Sequence, residues 1–424
     1  MTTPTPASTM RILLLCPHFE PDLHAATGEV MTRLVHALAD RGHRIDVVTA
    51  LPWYRGHDVE PEWRGRPWRT EITDWGRIVR VWPFPTDKNN LWARALGFGG
   101  FTGMVTAAAM TGPRPDVVLA MSPPIFLGDA GRLAASRWRV PLVFNTQDIF
   151  PDIAVDLGAI TNERVIAAAS RHERAIYRRA DAVTVLSADQ ARNVEGKLPP
   201  EQRSKVRIIH NFVDLDRIRV VERENDYRRR HRLEGKTVVM YSGNVGLSQP
   251  FELIREAARQ WRDRPEVHFV INGEGAARPD VDAWAVEFDN VTVADFAPRS
   301  EVSEVLGAAD LHLILLRRGL ARSSTPSKLY ANLAAGRPVL ASIDEGSEVA
   351  NTLAAADAGR AVAPDDADAF LTALEKLLAD DGELRRLGAN ARAYVEQWMT
   401  PEHQAARYET LFTELRGVTN DARE

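Results

Sequence analysis

Short, almost wholly apolar runs alternate along this chain with longer stretches of helical periodicity, and the alternation starts twice. Few architectures accept such a pattern. Arg11–Cys16 (RILLLC) has almost no polar alternation, as a strand buried on both faces requires. In Gly28–Arg41, Val30, Leu34, Ala37 and Leu38 recur at helical spacing; Gly42 ends the run and Arg44–Thr49 (RIDVVT) begins the next strand. Ile78–Trp82, Asp116–Ala120, Pro141–Asn145, Asp181–Leu186 and Val206–Ile209 read as further strands, with helices near 91–110, 128–137, 162–179 and 188–196. A second series opens with Thr237–Ser242 (TVVMYS), Gly243 and a helix over 251–262. Val267–Asn272, Val291–Ala294, Leu311–Leu316 and Pro338–Ser342 continue it, with helices over 299–308, 326–335, 347–355 and 366–379. A βαβ series implies an α/β fold with a doubly wound parallel sheet, so two Rossmann-like domains are expected. Facing each other, they would form an interdomain cleft at the carboxyl ends of their strands.

At roughly 100–200 residues per domain, 424 residues accommodate two or three. Residues 1–9 are expected to be a flexible tail, 10–211 the N-terminal domain, 212–400 the C-terminal domain, and 401–424 a helix crossing back to the first. The charge-rich Arg217–Arg232 is expected to be a solvated helix. Hydrophobic residues at 45% and charged residues at 26% exclude a disordered chain. A formal net charge of −5 lacks the basic field of a nucleic-acid binder, so no nucleic acid is expected as a partner and any anion site must come from local charge. The lone Cys16 excludes an internal disulfide. Together with the absence of an apolar leader over 1–10, it points to the cytoplasm.

One stretch resists this plain reading. Ala95–Pro113 carries no charge, and Leu91–Met110 approaches the ~20 residues that span a bilayer. Its glycines and threonines weaken that potential, and a span would cut a βαβ domain in two. Two expectations remain open. One is a fully buried helix. The other is an interfacial helix presenting Trp92, Phe98 and Phe101 to a peripheral membrane surface, with Arg77, Arg80, Lys88 and Arg94 near anionic lipid.

Four motifs carry chemistry. Gly28, in HFEPDLHAATGEV, would let backbone amides approach a phosphate at a helix start; G-x-G-x-x-G is absent, so a dinucleotide is not supported. YSGNVGLSQ (Tyr241–Gln249) repeats that strand–glycine–helix geometry, pointing to the amides of Gly243, Asn244 and Val245 as diphosphate donors. NGEG (Asn272–Gly275) would bring Gly273, Glu274 and Gly275 close to a flat base, with Phe296 and Ala297 along its edge. In SSTPSKLYANLAAGRPVLAS (Ser323–Ser342), Thr325 and Pro326 suit a helix start, and a cation there, Lys328, makes sense beside a bound anion. His18 and His24 flank the first loop without a recognisable partner. Asp214-Leu-Asp216 has the form of an acidic cation-binding pair, but no ligand cluster of firm spacing accompanies it, so no metal and no cofactor are expected.

In their order and spacing these motifs resemble the family 4 glycosyltransferases of the GT-B fold, over about Met10–Arg416. The resemblance rests on Gly42-His43 with RIDVVT, DIFPD (Asp148–Asp152), HNFVD (His210–Asp214), SGNVGLSQ, TPSKLYANLAAGRPVLAS and GSE (Gly346–Glu348). Within the family it is most similar to bacterial enzymes of capsule, O-antigen and colanic-acid assembly. The resemblance implies a nucleotide-sugar donor, commonly a UDP-sugar, in the C-terminal half. It also implies a lipid-linked or saccharide acceptor in the N-terminal half, retention of configuration, and a location in the cytoplasm or on the inner face of the cell membrane. Asp148 and Asp152 would lie near acceptor and sugar, Lys328 on the diphosphate, and Glu348 near the ribose.

One departure matters. The family's two glutamates, eight positions apart, would fall at Ser323 and Ala331, and its first-loop Arg and Lys at Asn244 and Gln249. Losing the ribose carboxylate should weaken donor binding by ~1.5–3 kcal/mol, the range for a hydrogen bond to a charged group. A UDP-sugar 2-epimerase or hydrolase on the same fold, and a catalytically degenerate partner subunit, are the alternatives.

Overall fold

A strand apolar on both faces needs parallel neighbours and a helix layer on each side. In the computed structural model, which describes residues 9–23, 26–53, 58–85, 91–156, 158, 160–322 and 328–421, each series obtains them. The chain divides into two compact units, Met1–His210 with Pro401–Glu424, and Asn211–Thr400.

The first unit carries Arg11–Leu15 (β1), Arg44–Ala50 (β2), Trp68–Ile72 (β3), Gly76–Val81 (β4), Val117–Ser122 (β5), Leu142–Thr146 (β6), Ala182–Val185 (β7) and Val206–Ile208 (β8). They form one sheet in the order β3-β4-β2-β1-β5-β6-β7-β8. All neighbours are parallel except β3, which pairs antiparallel with β4. Sequence pattern misses β3 because it lies at the edge, with Trp68 and Ile72 exposed. Helices Leu91–Ala109, Leu127–Trp138, Glu163–Arg179 and Ala188–Lys197 bury one core through Phe101, Val105, Leu127, Ile176 and Val194.

The last helix, Pro401–Asp421, belongs to this unit. His43 Nε2 lies 3.1 Å from Glu409 Oε1, Arg41 pairs with the same carboxylate, and Asn145 Nδ2 donates to Tyr408 Oη at 2.9 Å. Buried polar groups joined across 263 to 366 residues tie the chain's end to its first strands.

The second unit carries Thr237–Ser242 (β9), Val267–Asn272 (β10), Val291–Ala294 (β11), Leu311–Leu315 (β12), Val339–Ser342 (β13) and Gly359–Val362 (β14), ordered β11-β10-β9-β12-β13-β14 and parallel throughout. The expected solvated helix over Arg217–Arg232 is corrected: only Asp226–His231 is helical, and it is anchored inward. Arg228 is 1% exposed, donating to Asp310 at 2.6 Å, Glu224 at 2.7 Å and the Ala308 carbonyl at 2.8 Å. A charge run looks solvated until a buried carboxylate such as Asp310 pairs with one of its members.

Strand order reverses beside β1 in one unit and beside β9 in the other. Ligands in open α/β sheets bind at such switch points, outside the strands' carboxyl ends. The loops after β1 and β9 are therefore where chemistry belongs.

Candidate functional site

At the end of β9, Gly243 has φ 135°, a conformation that favours glycine. A Cβ there would lie 3.0 Å from Lys328 Nζ. Lys328 opens helix Lys328–Ala334; its Nζ donates to Tyr241 Oη and sits 3.8 Å from the centre of the Tyr241 ring. Burial pushes the amine down to about 7, with no carboxylate among the described residues offsetting it. A desolvated ammonium with no acid partner among the described residues is what an incoming diphosphate would satisfy.

Two of the three backbone donors expected here, Gly243 and Val245, are already engaged. Gly243 N–H donates to Asn272 O at 2.9 Å and Val245 N–H to Glu274 O at 2.8 Å, while Gly246 N–H meets Gln249 Oε1 at 2.9 Å. Parallel pairing of β9 with β10 simply continues into the loops, leaving exposed Asn244 between two engaged amides. Gly273 (φ 156°) and Gly275 serve the same lacing. A Cβ on Gly273 would fall 1.9 Å from the Gly243 carbonyl oxygen, and one on Gly275 2.4 Å from that of Val245. Their smallness thus serves loop against loop, a role that spacing in sequence does not distinguish from approach to a base.

Glu274 is exposed, and Phe296, 51% exposed, follows the end of β11 beside half-buried Ala297. Register pairs Asn272 with Ala294, so the NGEG loop and Phe296 leave adjoining strand ends. Sequence reasoning missed Arg278, which donates to the Gly273 carbonyl at 2.6 Å and pairs with Asp295 at 3.0 Å and Asp282 at 2.8 Å. Its signal was an arginine in the first turn of the helix after NGEG. Glu348 opens helix Glu348–Ala356 after β13, is 9% exposed, and accepts from Thr352 Oγ1 at 3.3 Å. Ser323 and Thr325 lie outside the described residues, and Ala331 packs against the apolar core.

In the first unit, Gly28 lies in the first turn of helix Ala26–Asp40, where a Cβ would come 2.5 Å from the Asp22 carbonyl oxygen. His18 Nδ1 lies 3.1 Å from Asp22 Oδ2, and its ring stacks on Trp53 with centres 5.8 Å apart. His24 falls outside the described residues. Asp148 follows β6, two strand spacings or about 10 Å across the sheet from β1. It is half-buried, and desolvation raises its carboxyl above the usual range.

Asp152 does not stand free. It accepts from Lys197 at 2.8 Å and Asn193 at 2.9 Å, and Lys197 also meets the fully buried Glu173 at 2.7 Å. An ion-pair network holds this carboxylate; it braces the loop that bears Asp148.

The membrane expectation is corrected in part. Phe101 is 3% exposed and Val105 not at all, so Phe101 belongs to the core rather than to a membrane face; Phe98 is half-buried and the Trp92 side chain lies outside the described residues. Arg77 bonds Asp46 and the Thr111 carbonyl, and Arg80, 1% exposed, pairs with Glu71 at 2.6 Å. No helix among the described residues is long and apolar enough to cross a membrane. Phe101→Leu is expected to cost about 1–2 kcal/mol of stability, through the buried carbons it removes, and to leave vesicle sedimentation unchanged. Asp214 Oδ1 accepts from the amides of Asp216 and Arg217 at 3.1 and 3.2 Å, closing a turn.

Residues 26–211 match the family model described as a glycosyl transferase 4-like domain, and residues 223–394 the one described as glycosyl transferases group 1. The chain belongs to the family 4 glycosyltransferases. This family 4 enzyme is 25% identical over 422 residues to WcaI of Escherichia coli (strain K12), named as a glycosyl transferase of colanic acid biosynthesis, covering 96% of this chain and 100% of WcaI. Its fold is GT-B. It matches the sucrose-phosphate synthase of Thermosynechococcus elongatus with a TM-score of 0.71 at 19% identity, over 96% of this chain and 100% of that one. It matches Anabaena HepE in complex with UDP with a TM-score of 0.66 at 14% identity, over the same shares.

Proposed function

We propose that this glycosyltransferase moves a hexosyl or N-acetylhexosaminyl group from a UDP-sugar, bound by the C-terminal unit, to a saccharide or lipid-linked acceptor bound by the N-terminal unit. Transfer retains anomeric configuration and needs no metal or other cofactor; the acceptor is met in the cytoplasm or at the inner face of the cell membrane. The observation that carries this reading is Lys328, a half-buried lysine whose amine is held over Gly243 at the switch point of the second sheet. The HepE structure with UDP, on the same fold, supports a uridine diphosphate.

As the bond from the sugar C1 to the diphosphate oxygen breaks, negative charge grows on the leaving group. Lys328 is placed to stabilise it, in the role a metal fills elsewhere. The acceptor oxygen bonds to C1 on the face the diphosphate leaves, and its proton passes to the departing phosphate oxygen. Phe296 offers an exposed ring for the base to stack on, and Glu348 a carboxylate for the ribose. Asp148 would orient the acceptor hydroxyl as its hydrogen-bond acceptor.

A panel of nucleotide-sugars in thermal-shift assays tests the donor, since a ligand that binds only the native state raises its melting temperature. UDP-sugars should raise it and GDP-sugars should not; no shift with any UDP-sugar would overturn the uridine reading. If Asp148 must be ionised, the acid limb of the kcat/KM profile lies above the ordinary carboxylate range, because desolvation raises its carboxyl. Asp148→Asn should remove that limb and lower kcat/KM by about tenfold or more, the scale of a lost charged hydrogen bond.

A further inference from the structure

Tyr241 stands two residues before Gly243, with its side chain fully buried. An edge-on contact with Phe251, ring centres 4.9 Å apart, fixes the ring plane. The hydroxyl has one proton and donates it to the Asn244 carbonyl at 2.6 Å. Its lone pairs are thereby turned to accept from Lys328 Nζ. The same ammonium lies over the ring face, where the aromatic quadrupole attracts a cation. One phenol thus grips both the lysine and the loop that follows β9.

We propose that Tyr241 is a positioning residue for Lys328, holding the ammonium over Gly243 and keeping it charged where a donor diphosphate would meet it. This rests on the donor reading above and extends it to how the cation is maintained. The phenol itself is pushed far above neutrality. His312, facing Lys328 from β12, is fully buried and lowered to about 4, hence neutral above that. Among these facing groups, the Lys328 amine is the one that titrates near neutral pH. The hydroxyl bond and the ring both favour its charged form, so removing the hydroxyl must lower its pKa further.

Tyr241→Phe keeps the ring against Phe251 and removes only the oxygen. In the full chain without ligand, the pH dependence of Lys328 acetylation by acetic anhydride, read by peptide mass spectrometry, should show wild-type titration near 7. In Tyr241→Phe it should fall by about one unit, the worth of one hydrogen bond to a charged group. Identical titration in the two proteins would overturn the proposal.

The second measurement uses UDP-glucose, whose diphosphate carries no proton that titrates in this range. Tyr241→Phe should bind it about tenfold more weakly at pH 8 and nearly as well as wild type at pH 6, where protonation compensates the lowered pKa. An equal loss at both pH values would mean lost packing and overturn the proposal. Unchanged UDP-glucose affinity in Lys328→Ala would overturn the donor reading instead, leaving the labelling result to decide the Tyr241–Lys328 link.

Discussion

Lys328→Ala is expected to lower kcat/KM for the nucleotide-sugar by ~10²–10³-fold, the range found when one preorganised charge-stabilising donor is removed. The loss should be at the upper end because little else compensates: Gly243 and Val245 amides are already donated to Asn272 and Glu274, and Asn244 and Gln249 stand where the family usually carries cations. The same residue sets two opposite pH dependences. Its amine is lowered from 10.5 to about 7 in the folded chain. Between those values the unfolded chain holds the proton and the folded chain has lost it, so stability without donor rises with pH above about 7. Donor affinity should fall over the same interval, because the diphosphate requires the ammonium. Calorimetry of the ligand-free chain against pH and kcat/KM against pH should therefore slope in opposite directions. Both slopes should vanish in Lys328→Ala; a variant that keeps more than a tenth of wild-type kcat/KM would remove Lys328 from the reaction.

Lys197→Met is expected to destabilise the N-terminal unit by ~3–5 kcal/mol, the cost of removing one partner from a buried ion pair. Glu173 is fully buried, and Lys197 Nζ reaches it at 2.7 Å while Tyr177 Oη donates to it at 3.0 Å. Even with Lys197 present, desolvation holds the Glu173 carboxyl above 4.5. A carboxyl raised on folding binds protons that the unfolded chain has released, so its contribution falls as pH rises from 4.5 toward the folded value. Methionine in place of Lys197 raises that value further. The variant's deficit should accordingly be larger at pH 8 than at pH 5, and Glu173→Gln in the same chain should recover much of it. Scanning calorimetry is the appropriate measure, since a chain of two units need not unfold in one step. A deficit under 1 kcal/mol would mean that Glu173 is not electrostatically dependent on Lys197. Asp152, released from Lys197 in this variant, would also loosen the loop bearing Asp148, so activity should fall before the melting transition.

The site was partly legible from residue types. Gly243 is a candidate because it stands at the carboxyl end of a strand, Lys328 because a cation opening a helix calls for an anion, and Asp148 through the family resemblance. What their neighbours do was not legible. Gly273 and Gly275 look alike whether a base or another loop approaches them, and the choice depends on β10 lying beside β9. Phe101 looked equally suited to lipid and to core, since a helix with apolar residues on most sides gives no direction. That Asp152 is held by Asn193 and Lys197 was not legible either, because they lie 41 and 45 residues away.

The sequence by itself determined the two α/β series, their division near residue 211 and the loops that could carry chemistry. Those follow from short-range periodicity, which is written residue by residue. The tertiary structure decided which amides are already bonded, which carboxylates are paired, and which residues, Glu409 and Tyr408, join Pro401–Asp421 to the first strands. It also brought Tyr241 under Lys328, 87 residues apart. Hydrogen bonds and charges are satisfied by whatever stands within about 3 Å, and only the folded sheet order sets which residues those are.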